Sequence, residues 1–258
     1  KYEDESQSDN EHEKLLSMLI APCSSLGGAR PKANVLDQEG NLWIAKFPSR
    51  ADSADTGARE MVAHQLARQV GLRLPECRLD KFSKNGSTFL TRRFDRNGNR
   101  RIHFASAMTL LGKTDGADYQ DGTSYLDIAR FIMRYGAQPD ADLRELWKRI
   151  VFSIAVKNTD DHLRNHGFLL APQGWILSPA YDINPNPDGT GLAINISEND
   201  NALDFDLARD VASLFRIDPN TADSFIRQTE ESVQNWRKIA DRCALSRSAQ
   251  DDMASAFD

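Results

Sequence analysis

Short runs of alternating apolar and polar positions dominate the first third of the chain, and this period of two is typical of half-buried β-strands. Each run ends at a turn rich in Gly, Asn or Pro, which separates one strand from the next. Lys46 shares strand parity with Leu42 and Ile44, so these three side chains are expected on one face. The pattern predicts two hairpins, with strands over residues 33–37, 42–47, 76–82 and 87–94.

One helix is predicted between the two hairpins, because apolar residues recur at helical spacing over residues 57–70. Asp55 or Thr56 is expected to cap its first turn, since short polar side chains accept hydrogen bonds from free backbone N–H groups. Gly71 is expected just past its end, where a left-handed backbone favours glycine. Glu60 lies in the first turns of this helix and becomes a candidate partner for a strand residue.

Helical periodicity replaces strand alternation from about residue 104 onward. A helix is predicted over residues 125–135, and further helices from about residue 203. Between them, two short strands are predicted over residues 167–170 and 175–177. A second long helix is predicted from apolar residues at i, i+3, i+4 and i+7 spacing, namely Leu143, Leu146, Trp147, Ile150, Val151 and Ile154.

This order of elements predicts an α+β fold with two lobes, of the protein-kinase-like or lipid-kinase-like kind. Residues 1–20 are interpreted as a linker or truncated start, residues 21–97 as a β-rich N-lobe and residues 98–258 as a helical C-lobe. The polar run 95–100 is expected to link the lobes. Because the chain begins with Lys1 rather than Met, we expect that a segment was removed or lies upstream.

Composition narrows the functional classes. The chain has 258 residues, a formal net charge of −6 and a pI of about 5.4, which argues against general or direct nucleic-acid binding. No apolar run approaches the roughly 20 residues of a membrane span, so no membrane association is expected. Cys23, Cys77 and Cys243 are widely spaced, and we interpret them as free thiols in a reducing cytoplasm.

The strongest chemical signal is a set of three oxygen-bearing side chains on two loops. Asp160 and Asn165 lie five residues apart in a polar loop directly after a predicted helix, and Asp182 follows 17 residues after Asn165, behind a predicted hairpin. Protein kinases use this arrangement, with a catalytic Asp, a metal-binding Asn and a second, metal-binding Asp. Asp160 is therefore the candidate catalytic base, and Asn165 and Asp182 are the candidate Mg²⁺ ligands.

The neighbouring residues of this loop allow other interpretations. His162 is expected to support the loop by hydrogen bonding and is counted with the cofactor-binding residues, while Asp161 is expected to be exposed to solvent. A capped polar loop without chemistry is one alternative, because Asn, Thr and Asp favour such turns. A metal hydrolase that uses Asp160, Asp161 and His162 is another, although no second group with ligand spacing supports it.

The predicted N-lobe adds a nucleotide-binding set. Lys46 on a strand and Glu60 on a helix match the pair with which kinases aim an ammonium group at ATP phosphates. Gly27 and Gly28 lie in a loop 19 residues before Lys46, where glycines allow backbone N–H groups to approach phosphates. Phe94 follows the last strand of the lobe, where kinases hold adenine, and could equally be a packing residue.

These motifs together resemble the HipA-type serine/threonine kinases, which are toxins of bacterial toxin–antitoxin pairs. The resemblance implies a kinase-like fold, ATP and Mg²⁺ as cofactors, and phosphorylation of protein Ser or Thr. It also implies a DNA-binding antitoxin as partner, and the protein targets of the family include aminoacyl-tRNA synthetases. The matching strings are residues 25–32, 93–96, 158–165 and 179–183, together with Lys46 and Glu60.

By position, the resemblance assigns Asp160 as the base, Lys46 to an ATP phosphate and Phe94 to the adenine-binding hinge. It also implies that Ser25 is the serine whose autophosphorylation expels the glycine loop and silences the kinase, with its neighbour Ser24 as a rival acceptor. A phosphate of about −1.5 to −2 charge beside ATP would favour such an expulsion by like-charge repulsion.

The sequence departs from the family pattern in two ways. Arg92 stands where relatives often carry an acidic residue, so adenine contact is expected to rely on backbone. The N-terminal subdomain of the full-length toxins is expected to be cut away or supplied by a separate protein.

The alternatives are a catalytically quiet nucleotide-binding module and a small-molecule or lipid phosphotransferase on the same fold.

Overall fold

A computed structural model of the chain describes residues 31–49, 52, 54–83, 86–98 and 100–257. The predicted glycine loop, with Gly27 and Gly28, lies outside the described residues, and so do the candidate phosphorylation sites Ser24 and Ser25.

The N-lobe is built on a four-stranded antiparallel sheet, in the order β1-β2-β4-β3. Both predicted hairpins are confirmed. In the first, the Asp37 carboxylate accepts hydrogen bonds from the Asn41 backbone N–H at 2.7 Å and the Trp43 indole N–H at 2.7 Å, which closes the turn. The strands are β1 (Lys32–Leu36), β2 (Leu42–Lys46), β3 (Cys77–Ser83) and β4 (Gly86–Arg92).

The helix predicted between the two hairpins is confirmed as α1 (Thr56–Gln69), and it packs across this sheet. Asp55 caps it by accepting the Ala58 backbone N–H at 3.0 Å, and the same carboxylate accepts the backbone N–H and hydroxyl of Ser87 on β4. The helix approaches β4 so closely that a Cβ on Gly57 would lie 2.3 Å from the Ser87 carbonyl oxygen. One aspartate therefore sets the position of α1, and with it Glu60, against the sheet.

The segment between the lobes contains two features that the sequence pattern did not predict. The polar run 95–100 contributes to a small hairpin of β5 (Arg96–Asn97) and β6 (Arg100–Arg101). Residues expected to begin the helical region instead form β7 (Phe104–Ser106), which pairs with β8 (Gly167–Ala171). That expectation was wrong because three residues carry no periodicity, and the strand exists only through a partner about sixty residues away in sequence.

The C-lobe is mainly helical and holds the hairpin predicted before Asp182, formed by β8 (Gly167–Ala171) and β9 (Gly174–Leu177). Strand β7 extends this hairpin to a three-stranded sheet in the order β7-β8-β9. Short 3₁₀ turns lie at Tyr119–Asp121, Leu163–Asn165, Ala212–Phe215 and Ala254–Ala256. The remaining elements are α2 (Ala107–Leu110), α3 (Tyr125–Tyr135), α4 (Pro139–Ala155), α5 (Phe205–Val211), α6 (Pro219–Val233), α7 (Trp236–Arg242) and α8 (Arg247–Asp251).

Helix α4 is the centre of the main core. Its predicted apolar face is buried, with Trp147 and Ile150 fully enclosed, and burial of each such side chain is worth roughly 1.5–3 kcal/mol. The same core includes Val62 and Leu66 of α1, so it continues from one lobe into the other. α4 ends directly before the polar loop that carries Asp160. Within the part of the chain that the structure describes, no helix is long and apolar enough to cross a membrane.

Candidate active site

A cleft of about 830 Å³ lies between the N-lobe sheet and the polar loops of the C-lobe. Its walls contain every site residue predicted from the sequence that falls within the described ranges. These are Lys46, Glu60, Phe94, Asp160, His162, Asn165 and Asp182. Residues up to 136 positions apart in sequence therefore converge on one cavity.

Lys46 joins the two lobes at the back of this cleft. Its Nζ lies 2.5 Å from Glu60 Oε1 on α1 and 2.6 Å from Asp182 Oδ1 in the C-lobe. We call these three residues the cleft triad. Burial alone would lower the pKa of Lys46, but the two carboxylates outweigh it and raise that pKa above its usual value. The ammonium group therefore stays charged.

The two carboxylates of the cleft triad differ in environment. Burial raises the pKa of Glu60, and Lys46 only partly offsets this effect. The carboxyl group of Asp182 is part-exposed to the cleft, and although burial acts to raise its pKa, the Lys46 ammonium prevails and lowers it. Asp182 is thus the ionised oxygen donor that faces the cavity, whereas Glu60 holds Lys46 from behind.

Asp182 has a left-handed backbone conformation, with φ of 60°. A residue other than glycine in this region costs about 1 kcal/mol or more and persists where its surroundings fix it. The Asn184 side chain donates to Asp182 Oδ1 at 3.2 Å, and the Asn184 backbone N–H donates to Asn158 Oδ1 at 3.0 Å. The Asn158 side chain therefore ties the loop of Asp182 to the loop of Asp160.

Asn165 has its side-chain amide orientation set by the same loop. Its Nδ2 donates to the Asp160 carbonyl oxygen at 2.9 Å, which leaves its Oδ1 as the free acceptor end. An amide oxygen and a carboxylate oxygen suit Mg²⁺, which proteins bind through one or two carboxylates together with substrate phosphates. Among the described residues no cluster of three His, Cys, Asp or Glu side chains could hold a metal by itself. The oxygen donors that Asn165 and Asp182 could offer such an ion are thus one amide oxygen and one carboxylate.

Asp160 has the most exposed carboxylate of the site, at 82% of its side-chain surface. Backbone groups of His162 close the loop around it, because the His162 N–H donates to the Asp160 carbonyl oxygen at 3.0 Å and the His162 carbonyl oxygen accepts the Asn165 N–H at 2.8 Å. The His162 ring lies 3.2 Å from an Arg164 nitrogen. Asp160 is consequently free to meet a proton donor in the cleft.

Asp161 contradicts the expectation that it is exposed. It is buried, its Oδ2 accepts the Tyr125 hydroxyl at 2.6 Å, and its Oδ1 lies 3.1 Å from His166 Nε2. Burial acts to raise the pKa of Asp161, but the contacts with His166 and Tyr125 lower it overall. We call Tyr125, Asp161 and His166 the loop anchor. Nothing in the spacing of Tyr125 or His166 along the chain connects them to Asp161, so sequence reasoning missed both.

The loop anchor also bears on the hydrolase alternative. Asp160 points outward and Asp161 points into the core, so their carboxylates diverge and do not form one ligand set with His162. The constellation that this alternative requires is therefore not assembled in the structure.

Three aromatic side chains form a wall of the cleft. The ring centroid of Phe94 lies 5.9 Å from that of Phe104 and 5.8 Å from that of Tyr181. The Tyr181 hydroxyl donates to the Arg164 carbonyl oxygen at 2.7 Å, which joins this wall to the polar loop. Phe104 was missed as a cleft residue because it lies on the unpredicted strand β7.

Comparison with known proteins identifies the family. Residues 24–237 match the model of the HipA-like C-terminal domain. The chain belongs to the HipA-like family. The prediction made from its motifs is thereby confirmed.

Two curated relatives of this HipA-like chain are named as kinases. A "Putative kinase" of Haemophilus influenzae is 28% identical over 187 residues, which cover 64% of this chain and 54% of that protein. "Putative kinase Y4dM" of Sinorhizobium fredii is 30% identical over 157 residues, covering 56% of this chain and 37% of that protein. The chain spans about half, or less, of the length of the relatives it matches.

Two solved structures share the fold. HipA of Shewanella oneidensis, in a complex with HipB and operator DNA, matches with a TM-score of 0.71 at 17% identity, over 96% of this chain and 68% of that one. The Helicobacter pylori proinflammatory kinase CtkA matches with a TM-score of 0.56 at 14% identity, over 88% of this chain and 92% of that one. The predicted bilobal kinase-like α+β fold is confirmed.

Proposed function

We propose that this chain is the core of an ATP-dependent serine/threonine protein kinase of HipA type. The observation that carries the proposal is the cleft triad, in which Lys46 bridges Glu60 and Asp182 across the two lobes. In kinases the corresponding Lys–Glu pair and the second metal-binding Asp must both be in place before phosphoryl transfer. The division into lobes at residues 21–97 and 98–258 is part of this proposal.

The proposed roles follow from the position and charge of each side chain. Lys46 contacts the ATP phosphates, Glu60 holds its ammonium group, and Asn165 and Asp182 hold Mg²⁺. When bound, the metal would neutralise charge that develops on the phosphates. Asp160 accepts the proton of the attacking Ser or Thr hydroxyl, whose oxygen bonds to the γ-phosphorus as the bond to the β–γ bridging oxygen breaks and ADP leaves.

The aromatic wall is the proposed adenine site. Phe94 and Tyr181 present apolar ring surface to the cleft, which suits the flat face of a purine. Gly27 and Gly28 are proposed to cover the phosphates from the N-lobe side, as glycine loops do in kinases.

The biological context is proposed from the family and the HipA structure. That HipA is complexed with HipB and operator DNA, and we propose a DNA-binding antitoxin as the partner of this chain in a toxin–antitoxin pair. Autophosphorylation of Ser25, or of Ser24, is the proposed silencing reaction, and an aminoacyl-tRNA synthetase is the proposed class of protein target.

Intact mass spectrometry before and after incubation with Mg²⁺-ATP tests the activity, with Asp160→Asn as the control. The wild-type protein is expected to gain one phosphate, mapped to Ser25 or Ser24, whereas the variant gains none. Loss of the base is expected to slow transfer by about 10²–10⁴-fold, with nucleotide binding retained because Lys46 and the metal ligands are unchanged.

Two results would count against the proposal. Equal phosphate gain in Asp160→Asn would remove Asp160 from its role. An unmodified wild-type protein that binds ATP but transfers no phosphate, to itself or to peptides, would favour the quiet nucleotide-binding module. Transfer to aminoglycosides or phosphoinositides but not to peptides would identify the small-molecule or lipid phosphotransferase instead.

A further inference from the structure

A second group of charged side chains connects the lobes behind the cleft. It consists of Arg73, in the loop between α1 and β3, and Asp142, Glu145 and Arg149 on α4, and we call it the interlobe network. An Arg73 guanidinium nitrogen donates to Asp142 Oδ1 at 2.7 Å, and its backbone N–H donates to Glu145 Oε1 at 3.1 Å. Arg149 Nε donates to the same Glu145 oxygen at 3.0 Å.

The interlobe network is largely enclosed and balanced in charge. Asp142 is completely buried, and Glu145 and Arg149 expose only 6% and 4% of their surface. Its two cations and two anions compensate one another, so removal of one partner leaves an uncompensated charge in a low-dielectric interior. Because each buried charge is paired with its neighbours, these side chains are fixed in position. They in turn fix the backbone groups that are hydrogen-bonded to them.

The interlobe network is hydrogen-bonded to the backbone directly before Asp182. The Leu177 N–H donates to Asp142 Oδ2 at 2.9 Å, and Arg149 donates to the Ser178 carbonyl oxygen at 2.6 Å. The Ala180 N–H donates to the Arg73 carbonyl oxygen at 2.8 Å. Three of the four residues 177–180 are therefore bonded to members of the interlobe network, and Asp182 follows two positions later in its left-handed conformation.

We propose that Arg73 is a positioning residue that couples the loop after α1 to the metal-binding carboxylate of Asp182. This inference rests on the proposed function of Asp182. Helix α1 carries Glu60, which contacts Lys46 at the back of the cleft, and the loop at the end of α1 is bonded to the segment that precedes Asp182. The N-lobe thus sets the position of Asp182 at two points, so a shift of α1 displaces the metal site even when Lys46 is unchanged.

The test compares three variants of the complete chain. Arg73→Met removes the charge and the forked donors, Arg73→Lys keeps the charge with a simpler donor, and Arg130→Met removes an arginine of α3 that forms only an exposed pair with Asp127. Two readouts apply to each, namely hydrogen–deuterium exchange of peptides covering residues 177–184 and binding of Mn²⁺ in the presence of ADP, followed by electron paramagnetic resonance.

Arg73→Met is expected to accelerate exchange in residues 177–184 and to weaken Mn²⁺ binding by about tenfold or more, the effect of losing a group that orients a metal ligand. Arg73→Lys is expected to lie between it and the wild type, and Arg130→Met to match the wild type in both readouts. A folded Arg73→Met protein with wild-type exchange and wild-type Mn²⁺ binding would overturn the inference.

The two proposals can fail separately. If the wild-type chain binds no Mn²⁺ with ADP, the proposed function of Asp182 fails, whereas the exchange data still decide whether Arg73 holds residues 177–184. If Arg73→Met does not fold, Arg73→Lys decides: faster exchange confined to residues 177–184 supports the coupling, and unchanged exchange contradicts it.

Discussion

The cleft triad and the loop anchor both bury charged carboxylates beside the same polar loop, yet they are built differently. In the cleft triad one ammonium group, on Lys46, faces two carboxylates, and that of Asp182 remains part-exposed to the cavity. In the loop anchor the carboxylate of Asp161 is enclosed and takes contacts from Tyr125 and His166 on both of its oxygens.

This difference separates a site that can accept a ligand from one that cannot. The cleft triad has two carboxyl groups to one ammonium group and an open side, which suits the proposed entry of a divalent cation together with phosphates. The loop anchor has no open side, so its contacts serve only to hold the loop. Adjacent residues Asp160 and Asp161 thus belong to different parts of the molecule, one facing the cleft and the other facing the core.

The largest expected effect comes from breaking the cleft triad. Lys46→Met removes the cation that contacts phosphate and leaves Glu60 and Asp182 facing each other without compensation. Steady-state kinetics with Mg²⁺-ATP should show a loss of about 10²–10³-fold in kcat/KM, typical for removal of one electrostatic stabiliser. Lys81→Met, on the exposed surface of β3, is the matched control and should leave kcat/KM unchanged. Equal losses in both variants would show that the effect is not specific to the cleft triad.

Disrupting the loop anchor should lower the free energy of unfolding, in addition to any effect on activity. Asp161→Asn weakens the bonds to Tyr125 and His166 inside the core, and the free energy of unfolding in urea should fall by about 1–3 kcal/mol. Asp160→Asn is the adjacent control. Since Asp160 is exposed, its replacement should change the unfolding free energy by less than about 0.5 kcal/mol. A larger loss of stability in Asp160→Asn than in Asp161→Asn would reverse the assignment.

The pH dependence of the unfolding free energy tests whether Asp161 is ionised in the folded protein. The folded-state pKa of Asp161 is lowered, so its contribution is present above its unfolded pKa of about 3.9 and is lost as the pH falls through the lower folded value. The difference in unfolding free energy between wild type and Asp161→Asn should therefore be full at pH 7 and shrink below about pH 4. A difference that stays constant down to acid pH would mean that Asp161 is not ionised in the folded protein.

The smallest effect is expected at Arg92, an exposed charge near the cleft that belongs to neither cluster. Its guanidinium lies 3.2 Å from Glu76 and 2.6 Å from Asn41, and exposed pairs contribute about 0–1 kcal/mol. Arg92→Gln should shift the midpoint of urea unfolding only slightly and leave ATP affinity nearly unchanged, measured by calorimetry. A marked loss of affinity would instead indicate direct contact between this side chain and the nucleotide.

Local patterns were sufficient for most of the elements. The hairpins, α1, α3, α4 and the polar loop after α4 follow from periodicity, caps and turn residues, each within a short stretch of chain. Strand β7 does not, because Phe104–Ser106 becomes a strand only by pairing with β8. For the same reason Phe104 was missed as part of the aromatic wall.

Local sequence patterns indicate which chemical groups this protein can bring to a cleft: a strand Lys, a helix Glu and the Asp, Asn and Asp of two loops. Their spacing was informative because each motif lies within one turn or one loop. The packing of the elements, in contrast, places Asp160 toward the cleft and Asp161 toward Tyr125, and it brings Arg73 to Asp142 on α4. Such pairings join residues 36 to 69 positions apart, and burial, charge compensation and hydrogen-bond geometry select them only after the elements have packed together.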